Sequence, residues 1–183
     1  QNFSDMGFAS VLIYVLIGTV ITLIVQSSSA TVAITLIMAT KGWIDFPSAA
    51  AMILGENIGT TITANIAAIP ANIAAKRAAF SHFMFNVFGV IWVLIVFKYF
   101  VGMVEYLVER FGPSNPELAT TYGLSLFHTM FNVCNVLVMI WFVNLYEKIC
   151  LKVIRPRRGE EEDGDFGLQY ITTGMLSTAE LSI

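Results

Sequence analysis

Residues 6–40 read MGFASVLIYVLIGTVITLIVQSSSATVAITLIMAT, from Met6 to Thr40, without a single Asp, Glu, Lys or Arg. Residues 8–25 form an unbroken run of apolar or small side chains, about 27 Å long as a helix, which nearly crosses a hydrocarbon core of ~30 Å. The run leads directly into Gln26-Ser27-Ser28-Ser29. Residues 30–40 are apolar again, but at about 16 Å they are too short to cross. Next comes Lys41-Gly42-Trp43-Ile44-Asp45-Phe46-Pro47, with turn residues, both signs of charge and an interfacial Trp. A near-spanning helix, a polar tip and a short return predict a re-entrant hairpin over about 8–40.

Charge is missing in the same way over 57–75, 78–97 and 118–146. The 183-residue chain is 56% hydrophobic and 13% charged, about half the charge of an ordinary soluble domain. Runs of this length exclude a soluble enzyme, a nucleic-acid binder and a disordered linker, and they predict an all-α integral membrane protein seated in a lipid bilayer. A transmembrane region over 1–147 is expected to hold the hairpin, a span at about 48–69 broken near its middle, and two further spans at about 78–97 and 122–146. Lys76 and Arg77 form one basic cluster, and Lys148, Lys152, Arg155, Arg157 and Arg158 form another. Two complete spans separate the clusters, so both face one side, which the positive-inside rule makes cytoplasmic. The segment 101–121 then becomes an external loop. Residues 148–165, basic and then acidic, read as a charged cytoplasmic linker. The chain is expected to begin inside a longer protein and to stop within a further cytoplasmic domain that starts at 166–183.

Irregular or polar backbone survives inside a bilayer only when buried in protein or beside water. Two polar islands interrupt the apolar runs. One is Gln26-Ser27-Ser28-Ser29, followed by Thr31 and Thr35; the other is Gly55-Glu56-Asn57-Ile58-Gly59-Thr60-Thr61, followed by Thr63 and Asn65. Hydroxyl and carbonyl oxygens suit Na⁺, while hydroxyl donors and helix N-termini face an anion; a single Ser or Thr would read as glue between helices. A hairpin tip meeting a broken helix is how secondary transporters build a midplane site. Glu56, the one carboxylate well inside an apolar span, could neutralise a cation, carry a proton or stay hydrated near a vestibule. A fixed carboxylate repels an anion, so direct contact with an anionic substrate is not expected of it. His82-Phe-Met-Phe-Asn86 recurs as His128-Thr-Met-Phe-Asn132, with His and Asn on one helical face in each copy. Without a third ligand this reads as a hydrogen-bond motif between two spans, with proton sensing or gating as the alternative. Cys134 and Cys150 lack metal-ligand spacing and read as reduced structural residues.

Gln26-Ser27-Ser28-Ser29-Ala30-Thr31, followed by Gly55-Glu56-Asn57-Ile58-Gly59-Thr60-Thr61-Ile62-Thr63, resembles the type II sodium–phosphate cotransporter family, in particular its bacterial branch with a PhoU-like domain after the last span. The likeness covers roughly 8–146, and Tyr170–Ser182 resembles the start of the PhoU-like domain. The family is built from two inverted repeats, so the resemblance implies one repeat, the second, needing the first repeat of the same protein or a second chain. It further implies that Gln26, Ser27, Ser28, Ser29, Thr31, Thr60, Thr61 and Thr63 line phosphate and sodium sites, with Asn57 shaping the backbone beside them.

The resulting expectation is sodium-coupled symport of inorganic phosphate across the inner or plasma membrane by alternating access, with the C-terminus cytoplasmic. Sodium would be a co-substrate, and no organic cofactor, other metal or nucleic acid would be involved. No nucleophile and base with an orienting third group is legible, so the chain does not read as an enzyme. The rival readings are a Na⁺-coupled carrier of another oxyanion or a dicarboxylate, and a membrane-anchored phosphate sensor.

Overall fold

The computed structural model describes residues 7–156. Seven α-helices follow in order: α1 (Phe8–Val25), α2 (Ser28–Thr40), α3 (Phe46–Ala67), α4 (Ile73–Ile95), α5 (Phe97–Phe111), α6 (Pro116–Met139) and α7 (Val143–Val153), the last two joined by a 3-10 turn at Ile140–Phe142. Helices α1, α4 and the continuous α6–α7 run are each long and apolar enough to span a membrane. The fold is all-α, as the charge-free runs imply.

The central element is α3. Ala49, Ala50, Ala51, Met52, Leu54 and Ile53 are almost wholly enclosed, and a helix apolar on every side is one surrounded by other helices. Asp45 caps its start by accepting from Ser48 N at 2.9 Å, with Pro47 in the first turn. Helix α1 lies along it at very short range. A Cβ on Gly18 would overlap the Met52 carbonyl, and one on Gly55 the Val15 carbonyl, while one on Gly59 would come within 2.7 Å of Thr22 Cβ. Thr19 Oγ bridges the pair, donating to Val15 O at 2.9 Å and Gly55 O at 3.0 Å. Thr19 meets Gly55 and Thr22, three residues on, meets Gly59, so α1 and α3 run parallel.

That parallel course fixes the shape of the hairpin. Helix α1 starts where α3 starts, descends beside it to a turn at Gln26–Ser27, and α2 climbs back. Lys41, after α2, lies 4.0 Å from Glu117 of α6. Gly123 of α6 faces the Phe46 ring and Val108 of α5. One end of the bundle therefore carries the α2–α3 loop and the α5–α6 loop. The opposite end carries Arg77, whose Nε donates to Ile154 O at 3.2 Å, and Asn65, whose amide donates to Ala79 O at 2.8 Å. Lys41 and Asp45 thus lie at the other end of the bundle from Lys76.

Three expectations need correction. The span at 48–69 is not broken: α3 is one helix of 22 residues. Its glycines serve close packing rather than a break, and Asn57, Thr60, Thr61 and Thr63 bond back to their own helix instead of opening it. The segment 101–121 is not simply a loop, because 97–111 is helical. Phe97, Phe100, Val101 and Val104 are buried at the i, i+3, i+4, i+7 spacing of one face, and Phe100 meets Phe127 edge-to-face at 5.4 Å. Tyr99, Tyr106 and Phe111 stay exposed, as in a helix lying along a membrane interface. Residues 148–153, read as the opening of a linker, are the last turns of α7. The remainder of that linker from 157, and the segment 166–183, lie outside the described residues.

Candidate functional site

The hairpin tip is a turn held by local backbone geometry. Gln26 has φ 55°, the left-handed conformation that closes a helix, and its N–H donates to Thr22 O at 2.8 Å. Ser27 is extended and caps α2, its Oγ accepting from Ala30 N at 3.4 Å and lying 3.3 Å from Ser29 Oγ. Thr31 Oγ donates to Ser27 O at 2.8 Å, which ties the first turn of α2 to the tip. Gln26, Ser28 and Ser29 are exposed, Ser27 is half-buried and Thr31 is buried. The tip thus presents an amide, hydroxyls and the positive end of the α2 dipole together.

The second island lies beside this tip on α3. Asn57 donates to Ile53 O at 2.8 Å, Thr60 to Glu56 O at 2.8 Å, Thr61 to Ile58 O at 2.7 Å and Thr63 to Thr60 O at 2.7 Å. Each group donates to a carbonyl three or four residues back; the threonines are left with oxygen to offer, and Asn57 with its oxygen and one N–H. Glu56 is deeply buried, with 1% of its surface exposed. Its Oε1 accepts from Thr35 Oγ of α2 at 2.6 Å, whereas Oε2 is buried with no hydrogen-bond partner among the described residues.

A cavity of about 150 Å³ opens against these groups. Ser28 and Val32 of α2, with Ile53, Glu56, Asn57 and Thr60 of α3, form one wall. His82, Phe85 and Asn86 of α4, with His128 and Asn132 of α6, form the other. The structure therefore brings together eight of the residues singled out in the sequence: Ser28, Glu56, Asn57 and Thr60, and both copies of the His–Asn motif, His82, Asn86, His128 and Asn132. Gln26, Ser27 and Ser29 sit close to Ser28 in sequence at the tip. Thr31, Thr61 and Thr63 are bonded to their own backbones and do not line the cavity.

The repeated His–Asn motif needs correction. Its amides do not bond across helices: Asn86 Nδ2 donates to His82 O at 3.0 Å, and Asn132 Nδ2 to His128 O at 2.8 Å, each within its own helix. Asn135, not singled out in the sequence, joins the two spans instead. Its Nδ2 donates to Phe85 O at 3.2 Å, its Oδ1 accepts from Trp92 Nε1 at 3.1 Å, and it packs on Gly89, where a Cβ would leave it no room. A second amide in the apolar run of α6, three residues past Asn132 and opposite a glycine in α4, is the signal that would have located it. The bond holds α4 to α6 three residues, about one turn, beyond Asn132.

Comparison with known proteins adds an independent line. The family model described as Na⁺/Pi-cotransporter matches residues 6–112, a stretch that includes both polar islands and the cavity residues of α2, α3 and α4. The uncharacterized protein YqeW of Bacillus subtilis is 37% identical over 134 residues, which is 73% of this chain and 41% of that protein. YjbB of Escherichia coli K12, provisionally named an inorganic phosphate export protein, is 28% identical over 94% of this chain and 30% of its own length. The sodium-dependent phosphate transport protein 2C of Mus musculus is 39% identical over 49% of this chain and 16% of its own. The chain thus spans less than half the length of these relatives. No solved structure matches it.

Proposed function

Because the chain belongs to the Na⁺/Pi-cotransporter family, a family of transporters rather than enzymes, we propose that it supplies one of two repeats of a carrier that moves inorganic phosphate together with Na⁺ by alternating access. The observation that carries this reading is the family match across 6–112, because both oxygen-rich islands fall inside it. The partner is the first repeat of the same protein or a second chain, and the membrane is the inner or plasma membrane. The C-terminal side, with Lys76, Arg77, Lys148, Lys152 and Arg155, is cytoplasmic.

Phosphate is assigned to the tip. Serine hydroxyls and the first-turn amides of α2 donate hydrogen bonds to an oxyanion, the α2 dipole favours negative charge, and no covalent step is needed. Gln26, Ser27, Ser28 and Ser29 are its ligands, and Thr31 fixes the tip. Asn57 and Thr60, which line the cavity, contribute oxygens towards sodium, whereas Thr61 and Thr63 do not line it.

The test is phosphate uptake by the full-length protein in proteoliposomes under an Na⁺ or a K⁺ gradient. Uptake that requires Na⁺ and falls by about a thousandfold or more when Ser27, Ser28 and Ser29 are all replaced by Ala supports the assignment, since each lost hydrogen bond to a charged group is worth about 1.5–3 kcal/mol. Phosphate binding without flux would instead mark a membrane-anchored sensor. Competition by sulfate or dicarboxylates as strong as that by phosphate would mark a carrier of other anions. The name of YjbB favours a second reading of direction, namely phosphate export. Uptake measured in vesicles of both orientations under equal gradients separates the two directions.

A further inference from the structure

The cavity behind the hairpin tip holds a buried carboxylate among neutral polar groups. Glu56 is 1% exposed, and its Oε2 has no hydrogen-bond partner although Oε1 is bound by Thr35. A carboxylate oxygen buried without a donor is costly unless a positive charge meets it, and neither Lys nor Arg lines the cavity. The titratable neighbours on the opposite wall are His82 of α4 and His128 of α6.

Three amides face the same space, and all three are oriented alike. Asn57, Asn86 and Asn132 each give Nδ2 to the carbonyl four residues earlier, at 2.8, 3.0 and 2.8 Å. A planar amide whose NH₂ turns back to its own helix directs its carbonyl oxygen away from that carbonyl. The amides come from three different helices, and the repeated motif supplies two of them. With the Glu56 carboxylate among them, such a wall repels an oxyanion. A divalent transition metal is also poorly served, since no group of three His, Cys, Asp or Glu forms among the described residues. One carboxylate with several neutral oxygens balances one positive charge.

We propose that the cavity binds one monovalent cation, Na⁺, with Glu56 as its charged ligand and the amide oxygens of Asn57, Asn86 and Asn132 as neutral ligands. This rests on the Na⁺-coupled reading above and gives the ion a place separate from the phosphate ligands at the tip. A volume of about 150 Å³ leaves room for the ion and one or more waters. Ser28 lines the cavity and also belongs to the tip, so cation and anion share a wall. An occupied cation site would then lower the electrostatic cost of bringing phosphate beside Glu56.

The test uses the full-length protein, purified and reconstituted. Glu56→Gln and Asn132→Ala should each raise the Na⁺ concentration for half-maximal phosphate uptake by about tenfold, because each removes a ligand from a desolvated ion. Independently of any variant, dicyclohexylcarbodiimide modification of Glu56 in the wild-type protein, read by mass spectrometry, should be slowed about tenfold by Na⁺ but not by K⁺. Asn132→Ala should lose that protection. Labelling that is equally fast in Na⁺ and K⁺ overturns the site, even if Glu56→Gln fails to fold. Wild-type uptake that needs Na⁺, with unchanged Na⁺ activation in both variants, also overturns the site and leaves the transport reading standing. Wild-type uptake indifferent to Na⁺ defeats the transport reading, and the labelling result then decides the cation site by itself.

Discussion

Gln26 closes α1 and, in the proposed carrier, binds phosphate, and substitution can separate the two duties. Its φ of 55° closes α1, and a β-branched side chain there costs about 1–2 kcal/mol, whereas glycine adopts that conformation freely. Gln26→Gly should therefore keep the thermal stability of the full-length protein within measurement error while lowering phosphate uptake, and Gln26→Val should lower both. The polar islands and Glu56 were legible in the sequence because each stands out in a run with no other charge. The convergence of His82, Asn86, His128 and Asn132 on Glu56 was not legible. A 46-residue repeat gives each motif its own helical face, but only the packing of α4 and α6 against α3 decides what the two faces share. The motif was read as a cross-helix bond, since an amide in an apolar span must find a partner; the partner turned out to be the carbonyl one turn back.

Among the elements, the hairpin was the most legible, because 18 residues nearly cross the membrane and the 13 that return do not. Helix α3 was misread at Gly55 and Gly59. Glycine is a helix breaker in water, but between two apolar helices it is also the residue that permits contact, and the spacing is the same in either case. Helix α5 was hidden in a segment rich in charge and turn residues, although its buried face keeps the helical period. Its charged face gives a pH test. Burial and the nearby Asp45 carboxylate raise the pKa of Glu105 above its ordinary 4.5. The fold then favours the protonated acid. That contribution to stability is complete below the ordinary carboxyl range and is lost as pH rises through the raised value. Glu105→Gln should leave hydrogen exchange of 97–111 unchanged at about pH 4 and slow it modestly at about pH 8, where the wild-type group is ionised. Faster exchange in the variant at the higher pH would show that the charge helps to hold α5.

At the scale of the whole molecule, the two ends differ in what they carry: Lys41, Asp45 and Glu117 at one, Lys76, Arg77 and Arg155 at the other. Single cysteines at Lys41 and Glu117 should react with an impermeant maleimide from the same side of a sealed vesicle. Cysteines at Lys76 and Arg155 should react only from the opposite side. A cysteine at Lys41 modified from the Lys76 side would mean that α2 crosses the bilayer and that the hairpin is misdrawn. The sequence carried this two-ended arrangement through its basic clusters. It carried no information on the depth of the tip, which depends on the close register of α1 and α3.

That register has a mechanical consequence. With Gly18, Gly55 and Gly59 letting backbone touch backbone, α1 and α3 can neither slide nor roll against each other without collision, and Thr19 bolts them together. They behave as one stiff beam with the tip fixed near its far end. Any stroke that exposes the serines first to one side and then to the other must move that beam whole. The seam that slips is then the one facing α4 and α6, where contact is made through side chains and an open space.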